Sequence, residues 1–211
     1  MVAVSLKKER AALYDRTGTL RDKVQNHMMQ LLSLVAMEPP ARLDQDAIRG
    51  EKIKVLRALR PITPDSVRQV TVRGQYTSGA IDGKVVPGYR EEPRVDPEST
   101  TETYAAMRLM IDSWRWAGVP WIIRAGKGLA RSVTEAVVEF DRPPRPMFAS
   151  PECRPGPNRL TFRTKPQAEI SLSVQAKVPG LKMISGPSEL HLEHGRDPGH
   201  DPYERLIGDA L

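Results

Sequence analysis

The stretch that decides the fold is RDKVQNHMMQLLSLVAMEPP, residues 21–40. Its apolar residues recur at helical spacing and form one stripe: Leu20, Val24, Met28, Leu31 and Val35, widened by Met29, Leu32 and Ala36. Thr17 or Thr19 can cap the first turn through a side-chain oxygen, and Pro39-Pro40 cannot continue the helix. The sequence therefore predicts a helix that begins near residue 20, ends before residue 39 and is enclosed by its own domain.

The first half of this helix carries hydrogen-bonding and ionisable groups, among them Asp22 and His27. A polar segment that leads into an apolar one can place a neutral imidazole at the edge of a cleft. Since imidazole has an ordinary pKa of about 6.5, such a histidine suits the role of general base. The alternative from the residues alone is a structural histidine on a helix that enters the core.

Length and composition restrict the class of protein. A chain of 211 residues suffices for one large domain, and 39% hydrophobic with 27% charged residues is ordinary for a soluble globular protein. No apolar run approaches the roughly 20 residues that cross a bilayer. The single cysteine, Cys153, cannot form an internal disulfide, which fits a reducing compartment. We expect a cytoplasmic protein with no membrane partner.

The net charge of +6 favours anionic partners. Acidic residues are nevertheless interspersed nearly throughout the chain, without a long run of lysine and arginine. A nucleic-acid interface requires basic residues clustered on one face, so we expect no nucleic acid and favour a phosphate-bearing small molecule.

The remaining periodicity predicts an α+β fold, with helices followed by a large, mostly antiparallel sheet. A second helix is predicted over residues 44–59, a short strand around Val70–Val72, and a loop over residues 74–88 with a turn at Asp82-Gly83. Alternation continues over further stretches, although residues 103–112 also fit helical spacing in part. These stretches are residues 103–112, 119–124, 133–140, 160–164, 170–175 and 190–194.

Ordered motifs along the chain resemble those of the glucose-6-phosphate dehydrogenase family. The pattern Y-D-x-x-G-x-L-R-D-x-V-Q-N-H ends at His27 and is similar to the catalytic helix of that family. Further matching motifs follow in family order: R-G-Q-Y at 73–76, P-G-Y at 87–89, S-T-T-E-T-Y at 99–104, W-R-W-A-G-V-P at 114–120, R-A-G-K at 124–127, N-R-L-T-F-R at 158–163, K-V-P-G at 177–180 and D-P-Y-E-R-L at 201–206. Several motifs at family spacing are far more specific than any one of them. The resemblance covers about residues 9–211. It favours a strand over residues 103–112, and it assigns residues 11–211 to a truncated C-terminal domain, with residues 1–10 unassigned.

The resemblance implies an NADP-dependent oxidation of glucose 6-phosphate to the 6-phosphogluconolactone, in the pentose phosphate pathway. It identifies His27 as the base that takes the proton from the C1 hydroxyl. Asp22 matches a carboxylate that hydrogen-bonds sugar hydroxyls, and Lys127 matches a lysine that contacts the substrate. The family sheet implies a homodimer.

Three positions depart from the family pattern, and two others match a site found only in some members. Where the family has a second basic residue, this chain has Ser132, with Arg131 one place earlier. Arg124 and Arg163 match positions that in some members bind a second, structural NADP. Lys165 and Ser171 replace the glutamine and tyrosine found beside them, so ordinary strand-edge arginines are the alternative.

Two further patterns bear on cofactors. His191 and His194 lie three residues apart on a predicted strand, so their rings point to opposite faces and a metal site is not expected. No G-x-G-x-x-G occurs in the 211 residues, nor does the family segment D-H-Y-L-G-K-E, whose histidine and lysine bind the substrate phosphate. We therefore expect pairing with a chain that carries the coenzyme domain, and no turnover without it. The alternative function is an inactive interaction module that pairs with dehydrogenase subunits.

Overall fold

The computed structural model describes residues 2–4, 11–81, 83–145, 155–180 and 184–193. The chain folds as two compact units, residues 1–136 and 137–211. The helices are α1 (Ala11–Thr19), a π-helical segment (Leu20–Met28), α2 (Met29–Ala36), α3 (Gln45–Arg57) and α4 (Val67–Val70). The strands are β1 (Val2–Val4), β2 (Thr71–Gly74), β3 (Gly79–Ile81), β4 (Lys84–Val86), β5 (Tyr104–Met110), β6 (Pro120–Lys127), β7 (Thr134–Glu139), β8 (Arg159–Lys165), β9 (Glu169–Lys177) and β10 (Ser185–Glu193).

The predicted first helix is present but is wound in two ways. Over Leu20–Met28 the turns are wider than in an α-helix, and the amide of Met29 donates to the carbonyl of Val24, five residues back. From Met29 to Ala36 the winding is α-helical, and it ends before Pro39 as predicted. Segments with this wider winding are rare and are frequently found at functional sites.

The start of the π-helical segment is fixed by a distant residue and not by a local threonine. Gly18 interrupts α1 with a φ of 66°, and no threonine side chain caps the next turn. The amide of Thr19 donates to the carbonyl of Glu102, and the amide of Leu20 to the Glu102 carboxylate, each at 3.0 Å. The predicted cap at Thr17 or Thr19 is therefore wrong. The hydroxyl of Thr17 bonds back to carbonyls of its own helix.

The buried stripe of the two-part helix packs onto the sheet and onto α3. Its deepest residues are Val24, Met28, Leu32 and Ala36, which contact Val55 of α3 and four residues of the sheet: Ala105, Leu109, Ile123 and Ala125. The predicted stripe continued through Leu31 and Val35, which are only half-buried. The turns over Leu20–Met28 contain more residues than α-helical turns do. The buried face is therefore displaced by one residue, from Leu31 and Val35 to Leu32 and Ala36.

The first unit has a four-stranded sheet in the order β1-β6-β5-β2. β5 pairs antiparallel with both β2 and β6, while β1 runs parallel to β6. The register places Tyr104 opposite Gly126, at the end of β6 where Lys127 lies. The strand interpretation of residues 103–112 is confirmed.

The stretch predicted as a loop over residues 74–88 contains a small hairpin. β3 and β4 pair antiparallel around the predicted turn, and Gly83 has a φ of 76°. Strands of three residues are too short to give a recognisable alternation, which explains why only the turn was predicted from sequence.

The second unit contains the sheet β10-β9-β8-β7, whose β8–β9 and β9–β10 pairs are antiparallel. β7 crosses the division between the units at residue 136. Helices combined with mostly antiparallel sheets confirm the predicted α+β class.

The junction at Gly18 leads to a stability prediction. An alanine Cβ there would lie 2.4 Å from a carboxylate oxygen of Glu102, whereas Gly118 has a similar φ of 81° and open space around it. Both alanine variants strain the backbone, by roughly 1–2 kcal/mol each, but only Gly18→Ala also displaces Glu102. We expect urea unfolding to show a larger loss for Gly18→Ala than for Gly118→Ala. Equal losses would contradict a close contact between Gly18 and Glu102.

Candidate active site

Lys127 lies at the end of β6 with its side chain buried. The residue is 7% exposed, and its amide donates to the carbonyl of Thr103 at 2.8 Å. Its ammonium nitrogen lies 3.2 Å from the centre of the Tyr14 ring, on the ring face. A cation over an aromatic face is attracted by the negative charge density of the ring, so this contact stabilises a buried ammonium.

The two glycines beside Lys127 are contacted by tyrosines. A Cβ at Gly126 would lie 2.9 Å from the Tyr104 ring, and one at Gly128 would lie 3.0 Å from Tyr76. Gly128 also has a φ of 66°, which favours glycine. These glycines therefore let aromatic rings pack beside the lysine. This packing explains the presence of the two glycines as well as the approach of a ligand to the backbone would.

Tyr14 connects Lys127 to the helix that carries Asp22. The residue is 3% exposed, and its hydroxyl is hydrogen-bonded to the hydroxyl of Thr19. Burial raises the pKa of Tyr14, the bond with Thr19 opposes this, and the nearby carboxylates of Asp22 and Glu102 raise the pKa further. The ring of Tyr14 thus contacts Lys127, while its hydroxyl lies in the electrostatic field of Asp22.

Asp22 and His27 occupy the two ends of the π-helical segment. The carboxylate of Asp22 is about one-third exposed and lies 3.3 Å from the ammonium of Lys23. His27 is exposed, and no other described residue bonds to its ring. Because the winding bonds residue i to residue i+5, it brings this pair closer to one side of the helix than an α-helix would. The first unit therefore carries a hydrogen-bond acceptor and an imidazole on one helical segment, and a buried ammonium at the end of β6.

Sequence reasoning missed Tyr14, Glu102 and Thr103 as contributors to this site. Tyr14 and the run S-T-T-E-T-Y were quoted only as family motifs, although both lie at the site. Hydroxyls and a carboxylate clustered ahead of a strand indicate that this run makes polar contacts. They do not indicate which helix the run contacts.

The ring of His191 lies between Glu169 and Glu189, at 2.5 and 3.1 Å, and the hydrogen bond to Glu169 raises the pKa of His191. Among the described residues no group of three or more potential ligands could bind a metal ion. His194 and His200 lie outside the described residues.

Within the described part of the chain, no helix has the length and apolarity that a membrane span requires.

Comparison with known proteins identifies the family. The family described as "Glucose-6-phosphate dehydrogenase, C-terminal domain" matches residues 3–211. The chain belongs to the glucose-6-phosphate dehydrogenase family.

Curated glucose-6-phosphate 1-dehydrogenases are similar along nearly the whole chain. The enzyme of Bacillus subtilis is 45% identical over 206 residues, and that of Mycolicibacterium smegmatis is 43% identical over 205 residues. Each alignment covers 96% of this chain but only 42% and 41% of the relative. The chain therefore spans about two-fifths of the length of these relatives.

Solved structures of glucose-6-phosphate dehydrogenases have the same fold. The Mycobacterium avium enzyme superposes with a TM-score of 0.80 at 38% identity, over 98% of this chain and 41% of the enzyme. A structure described as glucose-6-phosphate dehydrogenase in complex with its substrate glucose-6-phosphate gives a TM-score of 0.81 at 35% identity. It covers 99% of this chain and 42% of that protein.

The structure places the residues at the departing and partly matching positions on β6, on β8, on β9 and in the loop between β6 and β7. Arg131 and Ser132 are exposed in the loop between β6 and β7. In a strand, a shift of one residue turns a side chain to the opposite face of the sheet, but this does not apply in a loop. Arg124 is exposed on β6 in the first unit, whereas Arg163 lies on β8 in the second unit and pairs with Glu169 at 2.6 Å. A structural NADP site at these arginines remains a prediction.

The buried tyrosines lead to a prediction about alkaline pH. Burial, with the carboxylate of Glu92, raises the pKa of Tyr76 to about 12, and burial also raises the pKa of Tyr14 and Tyr89. The stabilisation is complete below the unfolded tyrosine pKa of 10.0. It is lost as pH rises, because the unfolded state releases these protons first. We expect the free energy of unfolding to fall from about pH 10 to about pH 12, and the fall to be smaller in Tyr76→Phe. Equal slopes in the two proteins would contradict the raised pKa of Tyr76.

Proposed function

We propose that this chain binds glucose 6-phosphate and supplies the general base of a glucose-6-phosphate dehydrogenase. The observation that carries the proposal is the Lys127 ammonium over the ring of Tyr14, whose hydroxyl bonds to Thr19 at the start of the segment that carries Asp22. His27 lies at the other end of the π-helical segment that begins beside this group. A family match over residues 3–211 supports the same assignment.

The proposed chemistry assigns one role to each side chain. Asp22, which as a carboxylate only accepts hydrogen bonds, receives them from sugar hydroxyls, and the Lys127 ammonium donates to substrate oxygens. His27 takes the proton of the C1 hydroxyl as the C1–H bond breaks and the C1–O bond becomes the lactone carbonyl. A coenzyme segment that bound NADP would supply the nicotinamide, which would accept the hydride with its electron pair from C1.

Binding of the coenzyme is not assigned to these 211 residues. They contain no G-x-G-x-x-G turn, which is the usual backbone cradle for a dinucleotide pyrophosphate. We therefore propose that a coenzyme-binding segment, in the same polypeptide or in a partner, completes the site. The single cysteine cannot form an internal disulfide, and free thiols persist in the reducing cytoplasm. The cysteine content therefore supports a cytoplasmic location. The alternative of an inactive interaction module is not favoured, since the curated relatives are dehydrogenases along the whole match.

A complementation experiment tests the proposal. A polypeptide of these 211 residues is expected to form no NADPH, because positioning of the two reactants accounts for about 7–11 kcal/mol of such a barrier. Addition or fusion of the coenzyme segment of a relative should produce glucose 6-phosphate-dependent NADPH, followed by absorbance.

In the complemented protein, His27→Asn should lower kcat by roughly 10²–10⁴-fold and change the dissociation constant of glucose 6-phosphate little. His191→Asn, at an exposed histidine of the second unit, is the control and should retain kcat. Near-normal kcat in His27→Asn would place the base elsewhere.

We further propose that the chain forms a homodimer through the second sheet. The register aligns two apolar rows on one face: Phe162, Ile170 and Leu192, and next to them Leu160, Leu172 and Leu190. Leu190 and Leu192 are 60% and 63% exposed, and an apolar patch of this kind marks interaction sites.

Sedimentation of matched variants tests the dimer. Leu190→Lys introduces a charge into the apolar rows and should give monomers at micromolar concentration. Glu189→Lys, one residue earlier on the opposite face, should leave the dimer intact. Monomeric unmodified protein would refute the dimer, and dimeric Leu190→Lys would refute this face as its interface.

A further inference from the structure

One residue, Glu102, binds the first two amides of the helix that carries Asp22 and His27. Its main-chain carbonyl accepts from Thr19 and its carboxylate from Leu20, each at 3.0 Å. The first amides of a helix have no partner within the helix, and a negative charge is favoured at that end. Glu102 is separated from Leu20 by 82 positions, so this cap joins two distant parts of the chain.

The carboxylate of Glu102 occupies space that glycine leaves open. A Cβ at Gly18 would lie 2.4–2.9 Å from three atoms of the Glu102 carboxyl group. The φ of 66° at Gly18 also turns the chain so that the next two amides point at Glu102. The sequence thus has a glycine where the carboxylate must approach the backbone.

The residue after Glu102, Thr103, bonds to the end of the strand that carries Lys127. The carbonyl of Thr103 accepts from the Lys127 amide at 2.8 Å, its amide donates to Gly74, and its hydroxyl accepts from Tyr76. Thr103 is fully buried. Two consecutive residues therefore hold, on one side, the helix that carries Asp22 and, on the other, the strand end that carries Lys127.

The neighbouring residues hold this peptide in place. The hydroxyl of Ser99 donates to the carboxylate of Asp15 at 2.5 Å, and that of Thr101 to the Asp15 carbonyl at 2.6 Å. Asp15 also accepts from the hydroxyl of Tyr89. The bonds of Ser99 and Thr101 fix residues 99–103 against α1, so a change at Glu102 alone need not release the whole segment.

We propose that Glu102 is a positioning residue for substrate binding, which sets the placement of Asp22 and His27 relative to Lys127. It does so by fixing where the π-helical segment begins, while the adjacent Thr103 fixes the end of β6. This inference rests on the proposed function for its kinetic consequence, but its structural consequence can be measured in the chain itself.

The kinetic test compares three substitutions in the complemented enzyme. Glu102→Ala removes the side-chain acceptor and should lower kcat/KM for glucose 6-phosphate by about 10–100-fold, since misplacement by about 1 Å can have an effect of that size. Glu102→Gln keeps an oxygen that can accept from Leu20 and should recover most of the loss. Glu98→Ala removes an exposed carboxylate of the same loop and is the control. A cap with only a structural role would lower the melting temperature in Glu102→Ala while kcat/KM, measured well below it, stayed unchanged. That result would overturn the proposal.

A measurement on the 211-residue chain separates this inference from the proposed function. The ring of Tyr14 should shift the NMR signals of the Lys127 ε-methylene protons upfield, because the ammonium lies over the ring face. In Glu102→Ala we expect faster hydrogen exchange of the Thr19 and Leu20 amides and a reduced upfield shift at Lys127. Unchanged exchange and an unchanged shift would overturn the proposal even if the complemented enzyme is active. If complementation yields no NADPH, the proposed function fails, and these two signals still decide the positioning role.

Glu102→Asp keeps the inference testable if Glu102→Ala does not fold. The shorter side chain retains the charge but not the reach to Leu20, so both NMR signals should change in the same direction by a smaller amount. Signals identical to those of the unmodified chain would again overturn the proposal.

Discussion

The contact between the Lys127 ammonium and the Tyr14 ring is the interaction on which the candidate site depends. A lysine that is 7% exposed has lost most of its hydration, and a ring face compensates for part of that loss without neutralising the charge. The ring is held in turn by the bond between the hydroxyls of Tyr14 and Thr19, at the junction of α1 and the π-helical segment. Placement of the lysine on the sheet is thereby linked to placement of the helix.

The wide winding of residues 20–28 has a geometric consequence for the same site. Two residues five positions apart are about 140° apart around an α-helix of 3.6 residues per turn, and would point to different surroundings. Hydrogen bonds from i to i+5 reduce that angle, so Asp22 and His27 can serve one ligand while Val24 and Met28 of the same segment stay buried. Such winding needs support from outside the helix, and here the cap from Glu102 at one end and the packing of Met28 at the other provide it.

The sequence alone predicts the elements of this fold better than their junctions. Periodicity located the long helix, α3 and most strands, because it reports which side of an element is buried. The capping residue of the helix was misassigned to Thr17 or Thr19, since local rules consider only neighbouring side chains, whereas Glu102 lies in the loop before β5, 82 positions from Leu20. Lys127 was found through its motif, but its contact with Tyr14 depends on the register of β5 and β6. No periodic pattern encodes that register.

Strand alternation in the second sheet separates two kinds of interaction. One face carries the apolar rows that include Leu190, and the other carries Arg163, Glu169 and His191, joined across β8, β9 and β10. Glu169 therefore bonds to both the guanidinium of Arg163 and the ring of His191, and any anionic ligand of Arg163 would have to share that guanidinium with it. Sharing is chemically feasible because a guanidinium has five N–H donors, of which a single carboxylate uses at most two. The charged face can thus stabilise the sheet and still present a donor, whereas the face with the apolar rows is suited to contact another apolar surface.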